Sequence, residues 1–564
     1  MLLTSQALWS RIHDAMFTRL KRVRSGERTY EYLQVVENRW QDGRTHQRVV
    51  ASLGRLDELQ AKGDLRRVIE GLVSHCPQVK LLEAQREQRL VTESDRVWGP
   101  VLVFGRLWEE LQMPELFGRL MRGRRFEFEV ERCAFAVVLQ RFLEPGSDLR
   151  GSKWVETVEA EGFEDLRLAH FYRTVGQLWR WRERIERHLY QRGRDLFNQD
   201  LDLVFFDTTS TYFEGMGWEG WAKRGKSRDH RPDHLQLVVG VVMRRDGLPV
   251  SCEIWPGNTA DVKTLVPIVE RLRKRFGIRR VVLVCDRGMV SAANLRALEK
   301  ARYQYIVGMK MRRLLEVREE VLGRAGRYRE VRHNLHVKEV WVEERRYVVC
   351  FNPERAQKDR RDREAILQGL RAKLASGGVK RLINNPGYRR FLRAMEGSVA
   401  IDEKRVREDE RYDGKFVLRT NTDLPAVEVA EAYKQLHWIE RLWRELKDVV
   451  EVRPIFHHQK KDNLKGHIFG CFLALYLASV LRRRLDEQWR EEHPKEKRKG
   501  PEGGPPLLRV PWDDLIRDLS QVRAIRVRLD GERYRMRTEL RGRAHLAFRA
   551  VGIRPPALAE VLTS

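Results

Sequence analysis

Three strand-like runs in close succession, then a regular exchange of helix and strand, constrain this chain more than any other feature. Leu201 to Phe206 and Leu235 to Met243 are nearly continuous in apolar residues and lack the in–out alternation of a half-solvated sheet, and Pro249 to Trp255 reads as a third strand. Strands of that kind are covered on both faces. Asp246-Gly247 supplies a hairpin turn between the second and third. Thr264 to Arg275 then reads as helix, Val281 to Val284 as strand, Ala292 to Ala301 as helix and Tyr305 to Val307 as strand. Strands followed by strand–helix alternation predict an α/β fold with a mixed sheet.

Other segments surround this core. Residues 27–54 read as a small β unit turning at Gln41-Asp42-Gly43, and residues 58–93 as charged helix. Apolar residues recur at helical spacing in 101–119, 130–143 and 171–197, with a break at Pro145-Gly146-Ser147. Residues 310–425 carry strand-like pieces at 337–342, 346–351 and 414–420 and a charged helix at 354–376, which reads as an insertion. Residues 425–485 return to helix. Asp486 to Pro506 ends in Gly-Pro-Glu-Gly-Gly-Pro-Pro, a linker composition. A short helix, Trp512 to Leu519, and a hairpin around Asp530-Gly531 follow. The expected division is 1–97, 98–200 (helical), 201–310 (core, first part), 311–425 (insertion), 426–485 (core, second part), 486–508 (linker) and 509–564.

Charge narrows the function. Lys and Arg number 109 against 81 Asp and Glu, a formal net charge of +28. Such a surplus suits a polyanion, because each cation set against a phosphate releases a condensed counterion. None of the six cysteines falls in a CxxC pair, so zinc ribbons and redox motifs are unsupported. No signal-peptide pattern and no uninterrupted apolar run of about 18 residues is found. The expectation is a cytoplasmic, nucleoid-associated protein that does not engage a membrane.

Asp207 follows the run 201–206, and Asp286 follows Val281 to Cys285. A carboxylate just past a buried strand projects from the edge where open α/β sheets place their sites, although turns and helix caps use Asp too. Tyr433, Glu440, Arg444 and Lys447 are separated by seven, four and three residues, and on one continuous helix they share a face. A salt-bridged surface helix has the same spacing. Two strand-end aspartates and one helical glutamate form a hard-oxygen set suited to two Mg²⁺ ions. Such a pair activates an attacking oxygen and stabilises the leaving one at phosphorus.

Asp207-Thr208-Thr209-Ser210, Asp286-Arg287-Gly288 and the segment 433–447 resemble the DDE transposases of bacterial insertion sequences. The nearest likeness is to the group numbered four, with its motif Tyr-x2-Arg-x3-Glu-x6-Lys. Tyr433, Glu440 and Lys447 keep that spacing, and Leu436 stands where the motif has Arg. Gly225 to Asp233, Pro256 to Asp261, Tyr412 to Phe416 and Arg453 to His457 also look like the family. The resemblance implies an RNase H-like catalytic core with a mixed sheet, interrupted by a β-rich insertion, plus a mainly helical N-terminal region. It implies Asp207, Asp286 and Glu440 as catalytic metal ligands for two Mg²⁺ or Mn²⁺ ions. Tyr433, Arg444 and Lys447 would contact DNA. The partners would be double-stranded DNA, as terminal inverted repeats and target, and further copies of the chain in a dimer or larger assembly. A DNA-binding relative without catalysis and a related metal-dependent nuclease are the alternatives.

Lesser candidates are Glu445 and Glu451 as rival third carboxylates; Glu445 points about 140° from Glu440 on a helix. His457 and His458 are candidate ligands, and Asp261 a further carboxylate near the site or a cap. Trp218 and Trp221 are candidate base-stacking residues or loop packing. The Arg-rich hairpin 523–541 is a candidate phosphate grip or a solvated face.

Overall fold

The computed structural model describes residues 16–26, 28–41, 44–74, 90–195, 202–215, 217–225, 227–276, 281–375, 385–395, 398–437, 452–456, 460–493, 511–529 and 531–562, with positions 440, 443, 444, 447 and 450. Glu445, Glu451, His457, His458 and most of the expected linker lie outside them.

The chain divides into two compact units. The first comprises residues 1–95, 524–539 and 556–564. Its strands β1 (Met16–Ser25), β2 (Arg28–Gln41) and β3 (Arg44–Arg55) form an antiparallel sheet. The β2–β3 pair is the unit expected at 27–54, and β1 is an addition. Strand β4 (Val91–Val97) begins within the stretch read as helix and joins a four-stranded sheet with the C-terminal strands Arg523–Leu529, Glu532–Arg537 and Ala559–Val561. Ladder partners more than 400 residues downstream override its charged composition.

The second unit comprises residues 96–523 and 540–555. Strands β5 (Asp202–Glu214), β6 (Gln236–Arg244), β7 (Pro249–Pro256), β8 (Val281–Cys285) and β9 (Gln304–Gly308) lie in the order β7-β6-β5-β8-β9. β5 runs antiparallel to β6 and parallel to β8, and β8 runs parallel to β9. This is the RNase H-like arrangement. All nine residues of β6 are buried, as its unbroken apolar run requires.

The insertion continues this sheet. Strands β10 (Arg329–Arg332), β11 (Leu335–Val342) and β12 (Arg345–Phe351) precede a helix at Pro353–Ala375, and β15 (Lys415–Thr420) then pairs antiparallel with β9. The small hairpin of β13 (Leu392–Met395) and β14 (Ser398–Ile401) has its own apolar cluster around Leu370 and Phe391. Burying the β9 edge removes an unpaired ladder that would otherwise invite aggregation.

Helices Gly99–Glu110, Val130–Leu143 and Leu168–Asp195 share one core with helix Lys461–Glu492. The last is long and apolar enough to cross a membrane, yet Leu464 to Ala478 are buried inside the protein. Crossing is close: a Cβ on Gly466 would overlap the Val175 carbonyl oxygen. Helix Lys461–Glu492 also overruns the expected start of the linker at 486. Short helix Trp512–Ser520 packs here too, with Trp512 against Phe104 and Phe142.

The helix expected across 431–447 is interrupted. Helix Ala426–Lys434 ends at Gln435, and Leu436 is in a turn. His437, Glu440, Trp443, Arg444 and Lys447 are helical beyond it. Tyr433 and Glu440 therefore do not sit on one unbroken helical face. Leu436 packs against the main apolar core, which accounts for an apolar side chain at this position.

Candidate active site

β8 stops at Cys285, opposite Phe206 of β5. Asp286 is the first residue past β8, whereas Asp207, expected just past a strand ending at 206, lies inside β5 and still pairs with Val241 of β6, so the two aspartates sit at one level of the sheet. Asp207 is largely covered, with 18% of its side chain exposed, whereas Asp286 is exposed. Burial pushes the Asp207 carboxyl up to about 6. Arg228 pulls it down, while the negative charges of Asp286 and Asp261 push it further up.

Asp261, left between two roles by the sequence, lies at the site. Its Oδ1 accepts from Thr208 Oγ1 at 2.7 Å, and its Oδ2 from Arg228 Nη2 at 2.9 Å. Arg228 Nη1 lies 3.7 Å from Asp207 Oδ1. Backbone N–H of Arg228 donates to Ser210 Oγ at 2.8 Å, which ties the β5–β6 loop to β5. The neighbouring Asp229 carboxylate is almost fully covered, at 3% exposure. It accepts from Lys447 Nζ at 2.6 Å and from Arg453.

Tyr433 Oη donates to Asp286 Oδ1 at 3.1 Å. Burial pushes its phenol well above the ordinary tyrosine range. The ring stacks on Phe416 at 5.9 Å and crosses Gly308, where a Cβ would overlap Tyr433 Oη. Gly308→Ala is therefore expected to displace Tyr433, costing about 1–3 kcal/mol as overpacking does. Calorimetry checks the stability, and the wild-type rate of DNA cleavage should fall with it.

Of the residues expected to touch DNA, Tyr433 and Lys447 thus have protein partners, and Arg444 is exposed. Glu440 is exposed, and among the described residues no hydrogen bond or ion pair joins it to Asp207 or Asp286. Nor, among the described residues, do three or more His, Cys, Asp or Glu side chains gather tightly enough to hold a metal. Asp261 is linked to Asp207 through Arg228, and Asp286 lies beside Asp207 across the β5–β8 pair. Trp218 and Trp221 stack on each other at 5.4 Å and pack against the core, with Lys465 over the Trp221 ring at 3.5 Å.

Thr208, Arg228, Asp229 and Arg453 fall within the family-like segments of the sequence, without a role assigned to any of them there. A signal for the middle pair was present: Ser227 to Asp233 is a dense polar run between two buried strands.

The donors suit a hard divalent cation. Asp207 and Asp286 present carboxylate oxygens at one level of the sheet, with Asp261 adjoining, and among the described residues no soft ligand adjoins them except the fully buried Cys285. Protons compete for the same oxygens. The folded value of Asp207, about 6, lies above its ordinary 3.8. The folded state therefore holds that proton between the two values, and this group's stability contribution declines as pH rises through that window. Binding of Mn²⁺ is expected to weaken as pH falls below about 6, a trend that titration calorimetry across pH reads directly.

An aspartate inside β5 beside one just past the end of the parallel β8, in an RNase H-like sheet, fits phosphoryl transfer on nucleic acid, which the net charge of +28 suits. Residues 198–477 match the family described as transposase DDE domain, and residues 18–87 match the IS1634 family transposase, N-terminal domain. The chain belongs to the DDE transposases of insertion sequences. It is a DNA-binding enzyme of cleavage and strand transfer, with the family's dependence on divalent metal. No curated protein matches the sequence. Among solved structures, the cryo-EM structure of a piggyBac transposase synaptic complex with hairpin DNA is similar at 10% identity and a TM-score of 0.34, over 75% of this chain and 79% of that one. A likeness that shallow carries nothing about this chain's chemistry.

Proposed function

We propose that this transposase cuts at the ends of its insertion sequence and joins the freed 3′-hydroxyl to target DNA. Asp207, Asp286 and Glu440 would hold two Mg²⁺ or Mn²⁺ ions. The observation that carries this reading is the placement of Asp207 and Asp286 side by side where β8 ends. Glu440 belongs to the helical segment beyond the Gln435–Leu436 turn. From there it would supply the third carboxylate.

Bound divalent ions supply positive charge to the attacking and leaving oxygens of the phosphodiester. The protein's task is positioning. Tyr433 orients Asp286 through its hydroxyl. Lys447 and Arg453 clamp Asp229 and so fix the loop that carries Arg228. Tyr433 and Lys447 remain candidate DNA contacts beside these positioning roles. Arg444, exposed on the same helical segment as Glu440, is the candidate phosphate contact. Two DNA ends must be paired for transposition, so a dimer or larger assembly on nucleoid DNA is proposed.

The test is incubation of the protein with DNA carrying the element's terminal inverted repeats and a target plasmid. Cleaved and joined products that require Mg²⁺ and vanish in Asp207→Ala support the reading. Cutting without joining would make the protein a nuclease, and binding without cutting would leave a DNA-binding protein only.

A further inference from the structure

We propose that Arg228 is a built-in competitor for the catalytic cation: its guanidinium bridges Asp207 and Asp261 in the metal-free protein and must release Asp207 for an ion to bind. This inference rests on the assignment of Asp207 as a metal ligand.

The geometry is specific. One guanidinium nitrogen lies 3.7 Å from Asp207 Oδ1. The other lies 2.9 Å from Asp261 Oδ2 and 3.2 Å from Thr208 Oγ1. A planar fork can hydrogen-bond Asp261 with one nitrogen while the other stays in ion-pair range of Asp207, which a point charge on a lysine does less well. The same carboxylate cannot serve the guanidinium and a divalent ion at full strength, since both take its charge.

The surroundings allow exchange. The Arg228 side chain is 33% exposed, so water can receive the guanidinium when it leaves. Its backbone stays in place, because its N–H is held by Ser210 Oγ. Ser227 Oγ accepts from the backbone N–H groups of Asp229 and Arg231, at 3.2 and 3.0 Å. The Asp229 carboxylate is clamped by Lys447 and Arg453. A side chain with a free end on an anchored backbone can swing without the loop opening. Asp261 keeps Thr208 as a donor, so it stays placed after Arg228 departs.

The occupied state also explains how the fold tolerates neighbouring carboxylates without metal. Asp286 and Asp261 both raise the cost of a charged Asp207, and Arg228 offsets that cost. Metal binding and Arg228 binding are thus negatively coupled through one carboxylate.

Mn²⁺ binding to the full-length protein without DNA tests this, read by titration calorimetry and by the EPR signal of free Mn²⁺. Arg228→Gln is expected to bind Mn²⁺ about tenfold more tightly than wild type, within the usual range for such coupling. Arg228→Lys should fall between the two. Circular dichroism confirms that each variant is folded, and Arg228→Lys keeps the test open if Arg228→Gln is not. Equal or weaker Mn²⁺ binding in the folded variants would overturn the proposal. The double variant Arg228→Gln/Asp207→Asn separates the two readings. If it loses the gain, the competition acts through Asp207. If wild type and Asp207→Asn bind Mn²⁺ alike, the assignment of Asp207 is what fails.

Discussion

Asp207→Asn is expected to abolish strand cleavage while leaving the protein folded and no less stable. The two effects have one origin. Asp207 is mostly covered, and burial raises its carboxyl to about 6, so at neutral pH the fold holds a charge it disfavours. An amide of the same shape avoids that cost, which is on the order of 3 kcal/mol from the size of the shift. The site, however, loses an anionic oxygen that a divalent ion needs. Altering even an outer partner of a metal ligand costs roughly 10–100-fold, so losing the ligand itself should cost at least about a hundredfold in cleavage rate. Thermal unfolding and cleavage of repeat-end DNA measure the two sides. A variant that cuts normally, or one that fails to fold, contradicts the expectation.

The second large effect lies away from the site. Arg275 Nη1 bonds Glu186, lies 3.2 Å from Glu253 Oε1, and its Nη2 lies 3.1 Å from Glu183. Glu186 and Glu253 have 0% and 4% of their side chains exposed. Glu186 also accepts from the Cys252 backbone N–H at 2.9 Å, which joins helix Leu168–Asp195 to β7. Burial pushes the Glu186 carboxyl up to about 7, against the pull of Arg275. Arg275→Met removes the cation bonded to buried Glu186 and leaves Glu253 with Arg271, and should cost about 3–5 kcal/mol. The loss should be largest above about pH 7, where Glu186 is charged, and smaller as acid neutralises it. Adding Glu186→Gln should restore part of it. Calorimetry at several pH values checks both statements. An undiminished melting temperature would show that the network holds nothing together.

The sheet was legible in the sequence because its strands are covered on both faces. Val238 to Val242 and Val282 to Cys285 leave no polar alternation to misread. Asp207 and Asp286 were legible for the same reason, as the first acidic residues beyond such runs. The break after Lys434 was not. Gln435-Leu436 contains no helix breaker, and tertiary packing of Leu436 against the core overrides local propensity. The segment Gly225 to Asp233 was legible as family-like, but the roles of Arg228 and Asp229 were hidden because their partners, Asp261 and Lys447, lie far along the chain. The pairing of β4 with C-terminal strands lies beyond any local pattern.

Anomalous diffraction from crystals of the protein with repeat-end DNA and Mn²⁺ addresses the metal site itself. Two peaks about 4 Å apart, ligated by Asp207 and Asp286 with Glu440 closing the set, are the expected result. Mn²⁺ bound elsewhere, or bound to both aspartates while Glu440 stays remote, would contradict it.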